Sequence, residues 1–194
     1  TDCGLEALRV KFISLDGFAL PDPDYLWVGE PIAAPEEDQT QPGLTFSAAP
    51  LSCVPVFRDW SGDGTISVYG GEIVPGSVYE VQRTGDTCSD LADPACYSAP
   101  LTVETQKYGD VWPVWAFELI SAQPDFNDIA ALVQKFLAAG PATAPIKAVC
   151  QLQPNIVFPD RPIYFKDIPA DVQAFLGTAY SAAEPGPCAC PSAV

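Results

Sequence analysis

The chain has 194 residues, with 25 Asp and Glu against 9 Lys and Arg, no His and no Met, and a net charge of −16. That charge repels phosphate backbones and anionic membrane surfaces, so nucleic-acid recognition is excluded and membrane-surface binding disfavoured. The absence of His removes every His-dependent catalytic triad and most zinc sites. With 48% hydrophobic residues the chain belongs among folded proteins, and at this length about 70% of the unfolded surface can be buried.

No apolar run reaches the ~18 residues that a membrane helix needs, so no membrane span is expected. Divalent cations are the natural partners of so acidic a surface. Position 1 is Thr rather than Met, as expected of a processed chain or a fragment. The 7 Cys stand at positions 3, 53, 88, 96, 150, 188 and 190, with no zinc-motif spacing. They point to an oxidising, extracellular setting. Cys88 and Cys96 flank a polar loop and should staple it, and Cys3 and Cys53 are placed to join the first strand to a later one. An odd count leaves one thiol unpaired or paired between chains. The pairing of Cys150, Cys188 and Cys190 stays open.

In chain order, Leu5 to Leu15 alternates as a strand does, and Tyr25 to Ile32 reads as a second. Residues 35–43 form an acidic loop. Thr45 to Trp60 is strand-like but interrupted by Pro50 and Pro55, which marks an edge or a bend. Thr65 to Tyr69, Ser77 to Arg83 and Tyr97 to Lys107 complete the set. Short strands divided by Gly, Pro and Asp turns predict an antiparallel β-sandwich over residues 1–108. Within it, Asp59-Trp60-Ser61-Gly62-Asp63-Gly64-Thr65-Ile66 copies the first eight positions of a calcium loop, with Asp59, Ser61 and Asp63 as oxygen donors. Its twelfth position is Gly70, and Gly-Asp-Gly is also ordinary turn chemistry, the reading we favour.

The second half carries a repeat. Asp128-Ile129 leads to Val133-Gln134-Lys135-Phe136-Leu137, and Asp167-Ile168 leads to Val172-Gln173-Ala174-Phe175-Leu176. Each copy is a loop followed by an amphipathic helix. Asp125 or Asn127 can cap the first, and Asp128 suits its positive end. Gly140 and Gly177 stand where left-handed caps occur. The expectation is two helices packed face to face, burying Val133, Phe136, Val172 and Phe175. This helical pair spans residues 109–180, and residues 181–194 form a Pro- and Cys-rich tail.

The ordered series Leu8-Arg9-Val10, Leu26-Trp27-Val28-Gly29-Glu30-Pro31, Asp59-Trp60, Ile73-Val74-Pro75-Gly76, Tyr108-Gly109-Asp110, Ala144-Pro145-Ile146 and Pro159-Asp160-Arg161 resembles a module found near the C-terminus of large secreted proteins of aquatic bacteria. Its last part is dockerin type I-like. The resemblance implies calcium-supported loop–helix units and protein–protein attachment. On the dockerin pattern Asp128 takes the twelfth ligand position, Asp125 the ninth and Asp110 the first, across an insertion. In the second copy Asp167 takes the twelfth, but Tyr164 and Gln151 stand where other ligands belong, so calcium is expected to be lost there. The competing reading makes these Asp residues helix caps.

Glu36/Glu37 and Asp22/Asp24 could be read as acid/base pairs, but nothing in the sequence sets their separation or raises a pKa, and acidic loops are usually solvated. Trp112 and Trp115 are the best candidates for glycan contact. The resulting expectation is a secreted, non-catalytic structural protein that assembles with copies of itself into a fibre or surface layer. The alternative is a carbohydrate-binding or calcium-dependent attachment module of a larger secreted enzyme.

Overall fold

The computed structural model describes residues 4–15, 18–19, 25–33, 46–111, 124–137, 152 and 163–180. The fold is mainly β, with a small α part. The strands are β1 (Glu6–Leu15), β2 (Phe18–Ala19), β3 (Tyr25–Val28), β4 (Ile32–Ala33), β5 (Phe46–Ser52), β6 (Thr65–Tyr69), β7 (Ser77–Gly85) and β8 (Leu101–Glu104). They join into one sheet ordered β4-β5-β3-β1-β7-β8, with β2 added to β1 and β6 to β5.

The pairing is antiparallel except between β5 and β6, which run parallel with Phe46 opposite Thr65 and Pro50 opposite Tyr69. The sequence reading, antiparallel throughout, did not foresee this. It followed from treating Thr45 to Trp60 as one broken strand. The strand instead ends at Ser52, and the segment from Cys53 to Gly64 crosses over to start β6. A parallel pair requires a connection of about that length.

Strand β1 is central. Leu8, Val10 and Phe12 point into a core with Val28, Ala49, Leu51 and Tyr79. The Phe12 and Tyr79 rings stack with centroids 5.1 Å apart. Burial pushes the Tyr79 phenol up to about 12; its hydroxyl donates to the Glu72 carbonyl at 2.9 Å and accepts from the Val74 N–H at 2.7 Å. On the opposite face the Arg9 guanidinium lies 3.7 Å from the Tyr25 ring centre and 3.1 Å from that of Tyr97. It also donates twice to Gln82 Oε1, at 3.1 and 2.8 Å. Tyr97 reaches this stack from the loop that the Cys88–Cys96 disulfide closes. Both faces of β1 are therefore covered, which is why its charged residues are half-buried rather than exposed.

Helix α1 (Phe126–Phe136) and helix α2 (Asp167–Phe175) follow. A second core, sharing no residue with the first, holds Val111, Ala131, Leu132, Leu152 and Ala170, with Tyr108, Ile163 and Ile168 packed against it. Helix α1 starts with a capping box between Asp125 and Asp128. Helix α2 ends in a Schellman motif: Gly177, at φ +87°, donates to the Ala174 carbonyl at 2.9 Å, and Thr178 N–H donates to Gln173 O at 2.9 Å.

The helices pack against each other, but not through the stripe expected. Ala131, Leu132, Ala170 and Ala174 are buried, while Phe136 is 38% exposed and Val133, Val172 and Phe175 are half-buried. Small residues at the seam let the helices approach closely and leave the larger side chains at its rim. Phe136→Ala should consequently cost about 1 kcal/mol in a denaturant titration, well short of the ~3–5 kcal/mol typical of a core aromatic.

Candidate functional site

The repeat is a structural one, and the two carboxylates that open its helices do the same work. Asp128 Oδ1 accepts the Val111 N–H at 2.9 Å and its Oδ2 accepts the Asp125 N–H at 2.7 Å. Asp167 Oδ1 accepts the Leu152 N–H at 2.8 Å and its Oδ2 accepts the Tyr164 N–H at 2.7 Å. Both acids are buried. Each ties a backbone amide earlier in the chain to the start of its helix, and accepts a second amide from just ahead of that helix. Asp125 is exposed, and its Oδ1 accepts the Asn127 N–H at 2.6 Å.

The aromatic contacts repeat as well. Phe126 and Phe165 each stand two residues before their Asp, and Phe136 and Phe175 eight after. Phe126 meets Phe175 at 5.0 Å between ring centres, and Phe165 meets Phe136 at 6.4 Å. Equivalent rings thus trade places between the copies, one pair at each end of the helical seam. Phe126 is 74% and Phe165 70% exposed, and Leu137 and Leu176 are exposed beside them.

One position breaks the symmetry. Four residues after the opening Asp, α1 has Leu132 and α2 has Asp171. Both are 0% exposed. Leu132 is satisfied there, but among the described residues neither Asp171 oxygen has a hydrogen-bond partner. The Asp171 carboxyl lies against Gly109: a Cβ there, at φ +80°, would stand 3.1 Å from Asp171 Oδ1 and 2.5 Å from the Ala174 Cβ. Only glycine fits. Burial first, then the charges of Asp128 and Asp110, push Asp171 up to about 7. Asp110, half-buried, is pushed up to about 6 by burial and by Asp128 and Asp125, against the pull of Lys107.

Of the residues singled out as calcium ligands, the structure brings Asp110, Asp125 and Asp128 to one locus and places Asp167 at the equivalent point of the second unit. Among the described residues, no group of three or more acidic, Cys or His side chains is preassembled as a metal cage. Asp59, Ser61 and Asp63 sit in a turn before β6. Asp59 Oδ1 accepts the Ser61 N–H at 2.9 Å, which holds its carboxyl below the usual range. Asp63 pairs with Arg58 at 3.2 Å, and its N–H donates to the Trp60 carbonyl at 3.2 Å. The expected disulfide, Cys88 to Cys96, is present. Cys53 is exposed. The acid pairs Asp22/Asp24 and Glu36/Glu37, the residues Trp112, Trp115, Gln151 and Gly140, and Cys3, Cys150, Cys188 and Cys190 lie outside the described residues.

Asp171 was missed from the sequence, although aligning the two copies sets an acid against a leucine. Among the described residues no helix is long and apolar enough to cross a membrane. Compared with protein-family models, curated proteins and solved structures, the chain shows no match.

Proposed function

We propose that this is a secreted, non-catalytic structural protein whose copies associate head to tail, a terminal segment of one docking on the exposed sheet edge of the next. In this reading the sheet is a sandwich-type body and the helical pair a dockerin-like appendage. The observation that carries it is β8. Among the described residues it ends the sheet order, pairs with β7 alone, and is exposed along its whole length, with Leu101 at 65% and Val103 at 41%. An edge strand with a free row of backbone groups and apolar side chains is a template for another strand. The occupant is a terminal segment of the next copy, either residues 1–4 or residues 183–194; β1 itself, paired with both β3 and β7, is not available for it. Such a contact joins unlike surfaces, does not close on itself, and grows a filament. At −16 per subunit, repulsion opposes it, so salt should promote it.

Val103→Lys adds an edge charge where the native side chain is partly exposed. Sedimentation velocity should show roughly tenfold or greater weakening of association with this variant, and also with the chain lacking residues 183–194 or residues 1–4. A wild-type chain that stays monomeric at high concentration and high salt removes the assembly reading.

A second reading, attachment to a different protein, is favoured by the helical pair. Phe126, Phe165, Leu137 and Leu176 leave an apolar rim exposed on both copies, the kind of surface that marks a protein contact. If Phe126→Ser/Phe165→Ser abolishes self-association while Val103→Lys does not, the contact between copies belongs to the helices; a wild-type chain that stays monomeric leaves that rim to a different protein.

A further inference from the structure

We infer that the seam between the two loop–helix units holds a hard divalent cation, with the carboxylates of Asp171 and Asp110 as its protein ligands and Asp128 as a third negative charge beside it. The argument starts from the broken symmetry. The second unit repeats the first in its helix start, its clamp and its rim aromatics, yet buries Asp171 where the first buries Leu132. A fully buried carboxylate with no hydrogen bond is among the most costly arrangements a core can hold, unless a proton or a cation satisfies it. Both oxygens of Asp171 are in that state among the described residues.

The surroundings favour a cation. Asp171 Oδ1 faces the bare Cα side of Gly109, where a side chain would fill the approach. Asp110 follows directly, half-buried. The next residue, Val111, gives its N–H to Asp128 Oδ1 at 2.9 Å. Asp171 and Asp128 thus reach Gly109 and Val111 from the two helices, with Asp110 between those residues in the chain. Asp128 has an amide on each oxygen, so it contributes field more than coordination. Two carboxylates with waters completing the shell suit Mg²⁺ or Ca²⁺, which take oxygen donors only. Burial first, and then neighbouring negative charge, raise the pKa values of both Asp171 and Asp110. The ligand pair differs from the loop pattern of the sequence reading, because Asp171 belongs to the second helix. The inference also stands apart from the assembly reading, since it concerns the dilute monomer.

The experiment is thermal unfolding of the full chain at pH 7.5, first in chelator and then with Ca²⁺ or Mg²⁺ added. It is paired with Tb³⁺ luminescence sensitised through Tyr108, two residues from Asp110. Saturating Ca²⁺ should raise the Tm of the wild type by roughly 5–10 °C. Asp171→Asn and Asp110→Asn should each lose most of that rise and most of the Tb³⁺ signal. Asp171→Leu, carrying the residue of the equivalent position, should fold and be indifferent to cations. A wild type whose Tm ignores both cations, or an Asp171→Leu chain that keeps the full response, overturns the site.

Discussion

Asp171→Leu should stabilise the protein, and by an amount that grows with pH. In the folded chain the Asp171 carboxyl is raised to about 7 from an ordinary 3.8, through burial first and then the neighbouring charges of Asp128 and Asp110. The folded state therefore holds a proton that the unfolded state releases. Stability contributed by this group is highest below about pH 4, falls as pH rises toward 7, and is flat above. A shift of about three units corresponds to about 4 kcal/mol between those limits. Asp110, raised to about 6, adds a slope of the same sign, opposed by Lys107. Leucine has no proton to lose, and the first unit already buries Leu132 at the equivalent place. Denaturant titrations in chelator should show the variant's advantage several kcal/mol larger at pH 8.5 than at pH 4.5. An advantage independent of pH would mean that the Asp171 carboxyl titrates alike in the folded and unfolded chain, with no raised pKa.

Leu132→Ala should be the most damaging single truncation in the helical pair, at about 2–5 kcal/mol. Leu132 is fully buried among Val111, Ala131, Leu152 and Ala170. Its neighbours include two alanines, which cannot swing in to fill the space, so the cavity persists. This core shares no residue with the one around Val10, Leu51 and Tyr79. Hydrogen exchange should thus accelerate in α1 and α2 while the β1–β7 ladder keeps its protection. Equal acceleration in both regions would show that the two cores unfold as one.

The elements that sequence reading located are those whose causes are local. Alternation over Leu5 to Leu15 places β1, which runs from Glu6 to Leu15. The Asp-Ile starts and Phe-Leu ends of the repeat locate both helices, and Gly177 marks the end of the second. Cys88 and Cys96 lie close enough in the chain to be paired by the loop between them. Pro50 gave a false signal: it sits inside β5 and is tolerated there, while the strand ends two residues later. Helical periodicity identified an apolar stripe, but a stripe does not say which of its members meets the partner. The choice of Leu132 and the alanines over Phe136 was set by how closely two helices approach.

The sequence by itself determined the class of the chain: acidic, stapled by at least one disulfide, mainly β, with a duplicated loop–helix unit at its end. Charge count, residue period and short-range spacing carry those conclusions, because each depends on neighbours within a few residues. Tertiary structure alone decided the parallel β5–β6 pair, the Arg9 stack between Tyr25 and Tyr97, the exposure of β8, and the burial of Asp171 against Gly109. Each joins or leaves bare residues far apart in the chain. Their free energies come from long-range packing and desolvation, which no local pattern encodes.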